Sequence, residues 1–262
     1  MVIATPDQTA TEFIEFTHEA TRLYRENRIA WGRRVAFFNN NSRARSRLVD
    51  VPKAYAGDAI FAAPEDDQAG LLSRILLRRK STRNFSKSPV PISIVGDLFR
   101  QAVMARKLPD PSELINGRRR SYSSAGAIYA VEHYIIGLNV DGVPNPFIAY
   151  CSPQNRKIIM VEPKADRNEL RKALGLEQAV LPAFAVVQTI DLERSTRKYQ
   201  ERGYRFALIE AGLACQTLCL IGVTLDLGSV IWGGHFDHLI DRDLRVLGTH
   251  ETAVNTILFG RI

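Results

Sequence analysis

Between Tyr204 and Ile221 the chain passes through Phe206, Leu208, Ile209, Leu213, Leu218 and Leu220 with scarcely a polar position, so a helix built from it is apolar almost all round. Such a helix has no face to turn to water. It has to be covered on every side, as the core helix of a domain or as an interface helix. The remaining segments must supply the layers that wrap it. With 262 residues, 45% of them apolar, the chain can form one large domain or two small ones around a substantial core.

Hydrophobic periodicity predicts those layers. Phe13, Phe16, Ala20, Leu23 and Tyr24 recur at helical spacing, predicting a helix from about Thr11 to Arg25. The tract Asn39-Asn40-Asn41-Ser42, followed by Arg43, Arg45 and Arg47, reads as a linker. Residues 1–65 are therefore read as an N-terminal helical extension and linker, and residues 66–262 as the main domain. A second helix is expected from Asp67 to Arg78, with Leu71, Ile75 and Leu76 facing inward. Ser93 is read as the N-cap of a helix through Leu98, Phe99, Ala102 and Val103. Strands are expected at Glu132 to Val140 and Pro146 to Cys151, with a hairpin signal at Asp141-Gly142, and at Lys157 to Glu162, Ala183 to Ile190 and Val254 to Phe259. A further helix is expected near Arg167 to Leu174. Helices segregated around a mostly antiparallel sheet make an α+β domain.

Composition narrows the partners only a little. The formal charge of +7 comes from short cationic clusters rather than one long stripe, which leaves cofactor phosphate, acidic peptide and nucleic acid all open. Cys151, Cys215 and Cys219 give no even framework; the last two lie at i,i+4 inside the apolar run and read as buried, reduced packing residues. No apolar stretch is read as approaching the roughly 20 residues a bilayer requires, and Met1 to Asp7 lacks the pattern of a signal peptide, so a cytoplasmic location is expected. His235 and His238 are three apart, but no cysteine or carboxylate cluster completes a metal site. Neither a Walker loop nor a Gly-x-Gly-x-x-Gly fingerprint is present, which argues against an ATPase and a Rossmann dehydrogenase.

Four segments carry chemistry. Lys198-Tyr199 places an amine beside a phenol, and the two can share one proton next to a carbon acid; adjacent Lys-Tyr also occurs by chance on solvated faces. Arg79-Lys80-Ser81-Thr82-Arg83 offers forked donors, a point charge and a hydroxyl suited to a dianionic phosphate, or forms an ordinary basic surface. The small residues of Ser121 to Tyr129 allow backbone N–H groups to approach a planar or anionic ligand, as many turns do. Gly233-Gly234, after the apolar Val230-Ile231, permits close approach or simply makes a turn.

Taken in this order, over roughly residues 70 to 262, the segments resemble the flavin-dependent nitroreductase superfamily, and within it the peptide-azoline dehydrogenase branch of thiazole/oxazole-modified microcin biosynthesis. Arg79, Lys80, Ser81 and Arg83 look like that superfamily's Arg-x-Ser-x-Arg phosphate segment. Ser123-Ser124-Ala125-Gly126-Ala127-Ile128-Tyr129-Ala130-Val131-Glu132 is similar to the branch's Pro-Ser-Gly-Gly-Ala-Leu-Tyr-Pro-Ile-Glu, with Ser123 and Ala125 as departures. Tyr204 to Gly212, followed by Gln216, resembles the long central helix, although Thr217 stands where Asn is common. Gly233-Gly234 matches the segment along the flavin ring, and Lys198-Tyr199 falls where the branch has its catalytic pair. The chain stops at Ile262 without the basic tail of classical nitroreductases, which suits the azoline branch.

The resemblance implies a nitroreductase-like fold shared across a homodimer, with FMN at the two-fold interface. FMN would be held by Arg79, Lys80, Ser81, Arg83, Ser123, Ser124, Ala125, Gly126, Gln216, Gly233 and Gly234. Lys198 and Tyr199 would manage the proton lost from the former Cα of a thiazoline or oxazoline while flavin takes the hydride. Implied partners are a YcaO-type ATP-dependent cyclodehydratase and an E1-like leader-binding subunit of a synthetase, acting on a precursor peptide, with no metal, nucleic acid or membrane. The N-terminal extension either docks to that synthetase or wraps the dimer. Two alternatives are an NAD(P)H-dependent nitroreductase of small aromatics and a non-catalytic scaffold or basic binding subunit.

Overall fold

The computed structural model describes residues 14, 16–43, 70–107, 118–176, 179–246 and 250–262. Its elements in chain order are α1 (Arg25–Asn40), α2 (Leu71–Arg78), β1 (Val90–Pro91), α3 (Ile92–Ala102), β2 (Arg106–Lys107), β3 (Arg118–Arg119), β4 (Val131–Gly137), β5 (Val140–Asp141), β6 (Phe147–Ser152), β7 (Lys157–Glu162), α4 (Arg167–Ala173), β8 (Phe184–Asp191), α5 (Leu192–Tyr199), α6 (Arg202–Thr224), β9 (Gly228–Ile231), α7 (Asp237–Leu244) and β10 (Glu251–Gly260).

Six strands form one sheet in the order β7-β6-β4-β8-β10-β9, every neighbouring pair antiparallel. Strands β4, β8 and β10 are buried almost throughout because both faces of the sheet are covered. On one face Ile135, Val186 and Ile257 pack with Leu98 and Phe99 of α3 and with Ala214 and Leu218 of α6. On the other, Ile136, Val187 and Leu258 pack with Leu170 of α4 and Ile240 of α7. This is the expected α+β arrangement, with α6 lying along the sheet.

Several expectations shift. The strand expected to reach Val140 ends at Gly137, and Val140 belongs to β5, which pairs in parallel with β1. β4 and β6 are hairpin partners from His133↔Cys151 to Gly137↔Phe147, with Asp141-Gly142 inside the longer connection. Helix α3 begins at Ile92 with Pro91 as its cap residue, so Ser93 lies within the first turn and caps nothing. The helix expected over Thr11 to Arg25 is interrupted: residues 16–19 are helical, the chain turns at 20–21, and α1 starts afresh at Arg25. The Tyr24 N–H donates to Asn27 Oδ1 at 2.9 Å, and this cap moves the helix forward so that Asn39 and Asn40 end α1 rather than forming a linker. Residues 67–69 of the Asp67–Arg78 helix lie outside the described residues. In α2 nothing is fully buried: Leu71 and Leu76 are exposed and Ile75 half-buried, because the helix lies at the domain margin beside the end of α6.

The apolar helix is covered on one side only. Ala207, Ala211, Ala214, Cys215, Leu218 and Cys219 are buried, whereas Leu208, Ile209 and Leu213 are exposed. At 23 residues α6 is also long and apolar enough, by length and composition, to cross a bilayer, against the expectation from sequence; its flanking residues extend the apolar run that was counted. Helices α5 and α7 escaped the periodicity reading. α5 has one apolar residue before its last position, and it forms because Asp191 accepts the Arg194 N–H at 3.0 Å.

Candidate active site

Lys198 and Tyr199 end α5, and α6 begins three residues later. The corner between the helices is tight: a β-carbon on Gly203 would lie 2.6 Å from the Ser195 carbonyl oxygen, and Ser195 Oγ donates to the Gly203 carbonyl at 2.7 Å. This corner sets Tyr199 edge-on against Phe206, with ring centroids 5.0 Å apart. Lys198 Nζ stands 5.3 Å from the centroid of the Tyr199 ring.

Both head groups converge on the loop before β4. Gly126 has φ +58°, and a β-carbon there would lie 2.5 Å from Tyr199 Oη and 2.6 Å from Lys198 Nζ. Amine and phenol thus occupy the notch that the missing side chain leaves. The loop itself is bent, since Ala127 and Tyr129 also have positive φ, 54° each. Its far end is gripped by two cations. Arg194 donates to the Tyr129 carbonyl at 2.7 Å and to Glu132 at 2.6 Å. The buried Arg120 donates to Tyr122 Oη at 2.8 Å and to the Val131 carbonyl at 3.0 Å, and its guanidinium lies 4.7 Å from the Tyr129 ring centroid. Tyr150 completes the shell by donating to Glu132 at 2.9 Å, and burial pushes the Tyr150 phenol up from its ordinary range.

The cationic segment lies elsewhere. Beyond α2 the chain is extended, with Ser81 bridged in parallel to Ser229 of β9 and the Thr82 N–H donating to the Ser229 carbonyl at 2.8 Å. Alternation along an extended chain puts Arg79, Ser81 and Arg83 on one side and Lys80 with Thr82 on the other. Lys80 and Thr82 line a cavity of about 390 Å3 together with Arg78, Asp226 and Ser229. Arg79 approaches Cys219 on α6. The hydrogen bond from Cys215, then that with Ser229 and the Arg79 charge, pull the Cys219 thiol down, while Cys215, which donates to that sulfur, is pushed up. Both cysteines are buried free thiols, as expected. Gln216 is exposed on α6 near this end.

At the end of β9, Gly233 faces open space, with no atom within 4 Å of where a β-carbon would sit. Gly234 is different: a β-carbon there would lie 3.1 Å from the Trp232 indole, and its carbonyl oxygen occupies the place that a β-carbon on Gly175 would take. The Ser124-Ala125-Gly126 turn therefore lies with Lys198 and Tyr199, while Arg79, and Ser81 through its bridge to Ser229, lie toward Cys219. Between Phe206 and Cys219 lies about 20 Å of helix.

Sequence reasoning passed over Glu210, Arg120, Arg194 and Glu132. The signal for Glu210 was present, since it is the one acidic residue in the apolar stretch from Phe206 to Val223. Also missed was a buried polar row beneath α6. Gln188 Nε2 lies 3.3 Å from His133 Nε2, and Asn255 donates to Gln188 Oε1 at 2.7 Å.

The family model described as Nitroreductase family matches residues 76–261. The chain belongs to this family. The match takes in the sheet, α6 and both residue clusters. The chain is 26% identical over 181 residues to the Escherichia coli protein named Microcin B17-processing protein McbC, covering 63% of this chain and 65% of that one. A Methanocaldococcus jannaschii protein that carries a nitroreductase name is 28% identical over 192 residues, covering 72% of this chain and 92% of its own. Among solved structures, a chain of the E. coli microcin synthetase McbBCD complex with truncated pro-MccB17 bound superposes with a TM-score of 0.71 at 20% identity, covering 98% of this chain and 94% of that one. B. megaterium NfrA2 superposes with a TM-score of 0.50 at 12% identity over 74% of this chain and 67% of its own.

Proposed function

We propose that this nitroreductase-family chain is an FMN-dependent dehydrogenase that oxidises thiazolines and oxazolines in a peptide to thiazoles and oxazoles, as one subunit of an azole-forming synthetase. The observation that carries the reading is the meeting of Lys198 Nζ and Tyr199 Oη over Gly126, a proton-handling pair set on a glycine loop with the lysine exposed and the phenol half-buried. The likeness to McbC supports it, and so does the extent of that likeness. Fold similarity to the synthetase chain covers 98% of this chain, whereas similarity to NfrA2 covers 74%.

The residues present suit FMN. Arg79, Ser81 and Arg83 share one side of an extended segment and can meet a phosphate dianion with forked donors and a hydroxyl. Gly233 leaves a place where a planar ring can lie close to the backbone. When bound, FMN supplies a two-electron hydride acceptor. Lys198, with Tyr199 as its relay, takes the proton from the former Cα of the heterocycle while the hydride departs from the neighbouring carbon. The ring becomes aromatic, and dioxygen is the terminal electron acceptor. Phe206 and the α5–α6 corner keep the phenol oriented during this transfer. In this reading the two clusters are completed by a second copy of the chain seated on the exposed face of α6. Cyclodehydratase and leader-binding subunits deliver the precursor peptide.

Mass spectrometry of a cyclised precursor peptide tests the reaction: the chain should remove two hydrogens per ring. The double variant Lys198→Ala, Tyr199→Phe should lose this activity while still purifying with flavin, and full activity in it refutes the pair. The M. jannaschii relative motivates a second reading, an NAD(P)H-dependent nitroreductase. Stopped-flow mixing with NADPH separates the two, since rapid flavin bleaching belongs to that reading alone.

A further inference from the structure

Glu210 is a charged side chain that the mechanism above does not use, and it is only 3% exposed on a helix otherwise apolar along this stretch. Its carboxylate accepts the Val131 N–H at 3.0 Å, and the Ala130 N–H and the Ser124 hydroxyl face it. Ser124 Oγ accepts the Tyr129 N–H at 2.8 Å in turn. One side chain on α6 therefore ties the loop that carries Gly126 at its Val131 end and abuts its start at Ser124, which is itself tied to Tyr129. Between the ties lie Gly126, Ala127 and Tyr129, all in the left-handed region, and two of them have a β-carbon that disfavours it. A backbone of this shape persists only where its surroundings hold it. Arg120 and Arg194 hold Tyr129 and Val131 from one side. From the α6 side, the loop is held at Val131 by Glu210, which also faces Ser124, two residues from Gly126.

We infer that Glu210 is a positioning residue for the Lys198–Tyr199 pair: by fixing the Ser124–Val131 loop it keeps the Gly126 notch against the two head groups, touching neither of them. The inference rests on the proposed function only for the importance of the pair; the geometry it predicts is independent of any reaction. Substituting Glu210→Gln preserves size but replaces an acceptor oxygen with an NH2 group that confronts the loop's own donors. Ser124→Ala removes the hydroxyl that accepts the Tyr129 N–H and faces Glu210, and leaves the Glu210–Val131 contact.

The full-length chain, reductively methylated at lysine with 13C-formaldehyde, reports the geometry directly. The Lys198 dimethylamine resonance, identified by its loss in Lys198→Arg, is displaced by the Tyr199 ring current because Nζ lies 5.3 Å from the ring centroid. In Glu210→Gln it should move toward the position of exposed lysines, and in Ser124→Ala it should move the same way by less. For azoline oxidation, kcat in Glu210→Gln should fall about a hundredfold, the penalty of roughly 1 Å of misplacement, with KM little changed. An unshifted Lys198 resonance in folded Glu210→Gln overturns the inference, and should that variant fail to fold, Glu210→Asp, whose shorter side chain falls short of the Val131 N–H, decides in the same way. If the wild-type chain forms no azole, the resonance still decides the positioning role, and only the assigned reaction falls.

Discussion

At the scale of single residues, the glycine at 126 does what other side chains cannot. Gly126→Ala places a methyl group where Tyr199 Oη and Lys198 Nζ now stand and forces a β-carbon to φ +58°. Activity should be lost, and stability should fall by about 1–2 kcal/mol from the backbone alone, as read from a denaturant midpoint. Arg79→Ala should weaken flavin retention by about 1.5–3 kcal/mol, measured by equilibrium release; unchanged occupancy refutes the phosphate contact. His133 gives a pH signature. Burial, and then the Arg120 charge, lower its pKa from 6.5 to about 3, so between those values the unfolded chain binds a proton that the folded chain refuses. Stability should therefore fall as pH drops through that window, by at most about 1.4 kcal/mol per pH unit. His133→Gln should flatten the slope, and an unaltered slope would show that the imidazole is not its source. Lys198, Tyr199 and Gly126 were legible as motif letters, but their meeting was not. They are separated by more than 70 positions, and only the α5–α6 corner brings them together.

Among elements, α6 shows what an all-round apolar pattern does and does not say. The pattern identified a helix that needs cover, and one side obtains it from the sheet. Leu208, Ile209 and Leu213 remain exposed on the other side, and α2 leaves Leu71, Leu72 and Leu77 exposed as well. Ile209→Glu should convert a dimer to a monomer in light scattering without altering the far-ultraviolet circular dichroism; a monomeric wild-type chain would remove the shared-site proposal. The strands were legible because β4, β6, β8 and β10 are runs of buried apolar residues of ordinary length. α5 was not, because its stability comes from an aspartate cap and from Ser195 and Thr196 buried against neighbours, none of which leaves a 3.6-residue apolar period. The inward orientation expected of α2 failed for a related reason: periodicity locates an apolar face but not what stands opposite it.

For the molecule as a whole, the first described residues are part of the main body. Ile14 and Leu23 are buried, and His18 lies 3.1 Å from Tyr204 Oη and 2.9 Å from Thr252 Oγ1, joining the extension to α6 and β10. Arg22 pairs with Asp241 of α7, both nearly enclosed, and Asp237 accepts the Leu23 N–H at 2.9 Å. Nothing in the composition of residues 14–24 marked this attachment, since the partners lie 186 or more positions away. Arg22→Ala should cost about 3–5 kcal/mol in a chemical unfolding curve, because it strands a buried carboxylate; a loss under about 1 kcal/mol would mean that water reaches Asp241.

The Arg22–Asp241 pair bears on how the protein can be divided. The family match begins at residue 76, yet the counter-ion for a carboxylate deep inside that region is supplied from upstream of it. A recombinant fragment trimmed to the matched region would carry an orphaned negative charge and an uncovered apolar floor where Leu23 now rests. Poor yield from such a truncation would therefore reflect a missing brace and would carry no information about catalysis.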